Sequence, residues 1–118
     1  MPARPDDGAA SGAFGRGLEL ARSGEYFAAH EAFEDAWRAS EPDEKDFFQG
    51  LVHVVVAWYQ AGRGRRPGCE RQLEKAARRL GPFAPRHRGV DVGAVLRQVE
   101  AAAQAVAAGS LELEPLDV

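Results

Sequence analysis

At 118 residues, with 45% hydrophobic and 28% charged residues, the chain is sized for one domain around a single hydrophobic core. Its net charge of −3 argues against general nucleic-acid binding, and its one cysteine, Cys69, excludes an internal disulfide and a cysteine-based zinc site. The longest apolar run, Leu51 to Tyr59, is interrupted by His53 and has about half the ~20 residues that a membrane-spanning helix needs.

No apolar stretch follows a basic N-terminal region, so no signal peptide is expected and a cytoplasmic location follows. Two lysines against thirteen arginines in an alanine-rich background point to a GC-rich genome.

Residues 1–12 (MPARPDDGAASG) carry almost no large apolar side chain and read as a flexible tail. One helical domain is expected over 13–108, and a second tail over 109–118. Helix one is expected over Ala13–Arg22, with Phe14, Leu18 and Ala21 on one stripe and Ser23-Gly24 ending it. Helix two is expected from Glu25 to Ala39. At about 100° per residue, Tyr26, Ala29, Phe33 and Trp37 share a face, with His30 beside them and Glu34 at its edge.

Ser40-Glu41-Pro42-Asp43 reads as a turn and a helix entry, because proline and acidic groups suit the positive end of a helix. Helix three is expected over Asp43–Ala61. It is apolar nearly all round, except for a narrow stripe of Gln49, His53 and Gln60, and reads as the buried central helix. Gly62 to Gly68 is a basic turn. Helix four, Pro67–Leu80, turns Cys69, Leu73, Ala76 and Leu80 inward and is stopped by Gly81-Pro82. Asp91 is a candidate N-cap for helix five, which aligns Val92, Val95, Leu96, Val99 and Val106. Leu111 and Leu113 in the last segment suggest an extended strap. The expected fold is all-α, with about five helices in antiparallel hairpins forming a compact bundle, and no β-sheet.

His30 and Glu34 are four residues apart, so their side chains meet on the helix surface. With His53 of helix three they form a candidate ligand set for a divalent metal. The zinc-protease pattern needs a second histidine where Glu34 stands, so no cofactor is expected outright. The alternative is a hydrogen-bonded network in which the polar groups satisfy one another. Trp37 shares the His30 face, so a polar pocket lined by His30, Glu34, Trp37, Gln49 and His53 is expected between helices two and three. Trp58 reads as structural, and Cys69, facing inward, as inert.

Arg63, Arg65 and Arg66 stand ahead of helix four, where backbone N–H groups and the helix dipole favour anions. A solvated turn is the competing reading. No glycine-rich nucleotide fingerprint, Walker sequence or Gly-x-Ser-x-Gly elbow occurs.

The run Gly24-x-Tyr26-Phe27-x-Ala29-His30-Glu31-x-Phe33-Glu34-x-x-Trp37, followed by Phe48-Gln49-Gly50-Leu51, resembles the DUF309 family. These are small helical prokaryotic domains, and the resemblance runs from Phe14 to Leu80. It implies an all-helical fold and no established activity. The family's Gly-Asn turn before helix four is Gly64-Arg65 here, and its Gly-Ala pair is Gly68-Cys69. Gly24, Tyr26, Ala29, Phe33 and Ala36 also fall at tetratricopeptide spacing, with Pro42 one residue late.

The function expected from these features is a non-enzymatic binding module for a small molecule or a protein. Self-association is open, a membrane is excluded and nucleic acid is disfavoured. The alternative is a small metal-dependent hydrolase using His30, Glu34 and His53.

Overall fold

Small side chains at inward positions let the helices of this chain pair closely. In the computed structural model, which describes residues 7–118, five α-helices follow one another: α1 (Asp7–Arg22), α2 (Tyr26–Ala39), α3 (Lys45–Gly62), α4 (Arg66–Leu80) and α5 (Val92–Ala107). The first four form two antiparallel hairpins, α1–α2 and α3–α4, with α2 packed on α3 and α5 on α4.

Both hairpins turn on a glycine in the left-handed region, Gly24 at φ 78° and Gly64 at φ 71°. In the first turn the Glu25 N–H bonds to Leu20 O at 2.9 Å and the Gly24 N–H to Ala21 O at 3.0 Å. In the second, Arg65 bonds to Gln60 O at 2.9 Å and Gly64 to Ala61 O at 3.0 Å. This paired capping satisfies carbonyls that the helix end would otherwise leave open.

Glycine also sets the helix crossings. A Cβ on Gly17 would lie 2.4 Å from the Phe33 ring, and one on Gly50 would lie 2.6 Å from Leu80. Phe33 and Leu80 are fully buried, so neither can move aside cheaply. The Gly50 of the Gln-Gly-Leu motif is therefore a packing residue.

The core runs along α3, the most buried helix, and Phe14, Phe47 and Phe48 pack edge-on in it at centroid distances of 5.4–5.9 Å. Inward Cys69, Leu73, Ala76 and Leu80 on α4 are buried as expected, and so is Trp58. Asp91 caps α5 by accepting from the Ala94 N–H at 2.9 Å.

Three expectations need correction. The first helix begins at Asp7, so positions 7–12 are helical where a tail was expected; positions 1–6 lie outside the described residues. Ala10 is 1% exposed, a small side chain whose burial no apolar pattern announces. A two-stranded antiparallel pair, β1 (Arg86–His87) and β2 (Val90–Asp91), joins α4 to α5 where no sheet was expected. Its tight turn places Arg88 and Gly89 at φ 48° and 78°. Gly81-Pro82 prolongs α4 as a 3-10 turn, Gly81–Phe83, before the chain leaves.

Candidate functional site

Helix α2 buries Ala29, Ala32, Phe33 and Ala36. Its remaining aromatic side chains are therefore pushed to the margin. Phe27 is 52% exposed and Trp37 36% exposed, which corrects the expectation that Trp37 lies on the buried face. Phe27, His30, Glu34 and Trp37 recur at helical spacing and form one outward stripe. The His30 Nδ1 meets Phe27 O at 2.7 Å, and its Nε2 lies 3.2 Å from Glu34 Oε1. Arg38 reaches the other Glu34 oxygen at 3.3 Å and Asp35 at 2.8 Å. Lys45 closes the far end, donating to Trp37 O at 2.5 Å with its ammonium 4.7 Å from the indole centroid. Such a contact holds a cation against the ring face.

Beside this stripe, α2 and α3 enclose a small recess of about 120 Å³ lined by Tyr26, Phe27, His30, Val56, Tyr59 and Gln60. The Phe27 ring leans on His30 at 4.9 Å and on Tyr59 at 5.3 Å. A polar pocket was expected between these helices. The structure puts His30 in the recess and substitutes Tyr26, Phe27, Tyr59 and Gln60 for the other expected members.

His53 turns away from it. Its Nδ1 pairs with Gln72 Oε1 of α4 at 2.7 Å, and the residue is 8% exposed. Burial pushes the His53 pKa below the ordinary histidine value; the Gln72 bond opposes this, and Arg79, Lys75 and Arg78 add to the lowering. Gln49, one turn earlier, is half-buried on α3, whose Asp46 pairs with Arg79 at 2.6 Å. His53 thus lies in the α3–α4 seam and does not face α2 as expected, whereas Gln60 lines the recess beside α2.

The expected His30–Glu34–His53 ligand set does not form. Among the described residues, no group of three His, Cys, Asp or Glu side chains is placed to hold a metal ion. Cys69 is buried, and burial with the neighbouring Glu70 raises its thiol pKa, which suits an inert packing residue. Arg63, Arg65 and Arg66 are exposed; Arg63 bonds to the Tyr59 hydroxyl at 3.5 Å and Arg66 to Glu70 at 3.2 Å.

One cluster escaped the sequence altogether. Glu44 accepts from Arg88 Nε through Oε1 and meets His87 Nε2 at 2.7 Å through Oε2. Arg88 also donates to Asp7 at 2.9 Å and to Ser11 at 3.2 Å, with its guanidinium 5.1 Å from the Phe48 ring centroid. His87 packs against Phe47 and Phe83 at 4.6 and 4.9 Å. The cluster ties the start of α1 and the entry of α3 to the β-turn. Residues so far apart in sequence leave no local signature.

The geometry defines a small helical-hairpin domain with an outward aromatic stripe on α2. The chain belongs to the family described as a domain of unknown function, DUF309, whose sequence profile matches residues 14–72. The match spans both hairpin turns and α2, and it stops at Gln72, the partner of His53. No match to this chain was found among curated proteins or among solved structures. Among the described residues no helix is long and apolar enough to cross a membrane.

Proposed function

We propose that this domain is a non-enzymatic protein-interaction module that engages its partner through the α2 stripe Phe27, His30, Glu34 and Trp37 and the adjoining recess. The observation that carries this reading is Phe27, a large aromatic side chain 52% exposed at the mouth of a cavity it helps to wall. Aromatic side chains at the centre of an interface contribute strongly to binding, and leaving one in water has no folding benefit. A recess of about 120 Å³ has room for the end of one partner side chain, given ~30 Å³ per water in bulk. The paired His30 and Glu34 supply polar contacts between the two aromatic ends, and the tetratricopeptide spacing of Gly24, Tyr26, Ala29, Phe33 and Ala36, in the α1–α2 turn and α2, suits a binding scaffold.

Photo-crosslinking in producing cells tests the reading. A benzophenone amino acid at position 27 should give a discrete adduct that His30→Ala or Trp37→Ala abolishes while the melting temperature stays unchanged. The same adducts from exposed position 103 of α5 would overturn it.

A further inference from the structure

The α5 helix ends on Gly109 with the same paired capping as the hairpins, and Ser110 bonds back to Ala105 O at 2.9 Å. Residues 110–118 then run without regular secondary structure across α3, α5 and the α1–α2 turn. Side chains of the groove hold the main chain of this strap. The Trp58 indole donates to Glu114 O at 2.8 Å, and the Leu116 N–H donates to the Tyr26 hydroxyl at 3.2 Å. Gln98 grips Asp117 on both sides, its amide donating to Asp117 O at 2.7 Å and accepting from Asp117 N–H at 2.8 Å. Arg22 donates to Val118 O at 3.1 Å.

Bonds of this kind read an unwound backbone, and spaced pockets then select side chains, which is how grooves recognise peptides. Here the selected side chain is Leu116, 5% exposed in the core, with Leu111 and Leu113 only half-buried. The strap leaves its seat partly open. An open cleft of about 830 Å³ lies along one flank, between the strap and Tyr26, Trp58 and Ala61, and another of about 320 Å³ lies against Gln98, Ala102 and Ala105. Both clefts open to solvent, so the strap covers its seat without filling the space on either flank.

We propose that this groove is a peptide-binding site, occupied in cis by residues 110–118, that accepts in trans an unwound segment of another protein with the spacing Leu-x-Leu-x-x-Leu. The fitting chemistry is that of Leu111, Leu113 and Leu116 themselves, and the four side chains Arg22, Tyr26, Trp58 and Gln98 make their main-chain bonds to any sequence. This surface goes beyond the α2 stripe and shares only Tyr26 with the recess beside it. Because the strap is tethered, its effective concentration in the groove is in the millimolar range, and a free peptide competes poorly with it.

The test uses the full chain and a fluorescein-labelled peptide of residues 110–118, read by anisotropy. Leu116→Ser should bind the peptide at least about tenfold tighter than the unmodified chain, because it weakens the tethered competitor. Leu111→Ser with Leu113→Ser, at half-buried positions, provides a second route that spares the core. Adding Gln98→Ala to either variant should remove the gain. Failure of both variants to bind while their helical circular dichroism stays native overturns the proposal, as does binding indifferent to Gln98→Ala. An unmodified chain that is a dimer with exchanged straps would overturn it by making a second copy the occupant.

Discussion

The α1–α2 and α3–α4 hairpins are built on one plan and finished differently. At a constant offset, Ala21 corresponds to Ala61, Gly24 to Gly64, Ala29 to Cys69, Phe33 to Leu73 and Ala36 to Ala76. The paired glycines turn alike, and the other paired side chains are all buried. Outside that inner face the hairpins diverge. The outward side of α4 is charged, with Glu70, Arg71, Glu74 and Arg78 exposed, whereas α2 exposes Phe27 and Trp37. The buried position filled by Ala13 in the first hairpin holds His53 in the second, and only the second needs a partner such as Gln72. Close packing fixes what an inner face can hold, so the freedom to carry a binding surface lies outside it.

The comparison is most sharply broken at the paired core positions. Phe33→Ala should cost about 3–5 kcal/mol and Leu73→Ala about 2–5 kcal/mol, since each leaves a cavity in a closed core. Denaturant melts in which either variant is as stable as the parent would show that its hairpin does not depend on that contact.

Next come the crossings. Gly50→Ala and Gly17→Ala should each lose about 1–3 kcal/mol through overpacking against Leu80 or Phe33, opposing the ~1 kcal/mol that alanine offers in a helix. A raised melting temperature for Gly50→Ala would remove the close approach as the reason for that glycine.

His53 separates the hairpins by pH. Its folded-state pKa is lowered, chiefly by burial, so below the ordinary value of 6.5 the unfolded chain takes up a proton that the native state resists. This contribution to stability is fully present above 6.5 and declines as pH falls toward the folded-state pKa. Melting temperatures followed from about pH 8 to pH 5 should fall less for His53→Gln than for the parent chain. Equal slopes would remove His53 as a source of acid sensitivity.

The smallest effect is expected at Glu34, whose side chain is 39% exposed against His30 and Arg38. Glu34→Gln should shift stability by less than about 1 kcal/mol, because water screens an exposed pair. A drop of several degrees would make the His30–Glu34 pair a structural element and weaken its place in the binding stripe.

Local physics determined a good deal of this protein from the sequence by itself. Apolar spacing placed five helices, the inward face of α4 and the buried centre of α3, and Gly24 marked the first turn because a side chain is strained at positive φ. The i, i+4 spacing brought His30 to Glu34. Tertiary structure decided the rest. Trp37 went outward because Ala29, Ala32, Phe33 and Ala36 already fill the inner face of α2. His53 turned to Gln72 because α4, not α2, offers an acceptor against that side of α3. The start of α1 is tied down at Asp7 by Arg88, and residues 110–118 are seated by Trp58, Tyr26 and Gln98. These contacts join residues far apart in sequence, and periodicity along a chain carries no information about which distant side chain will be there to receive a hydrogen bond.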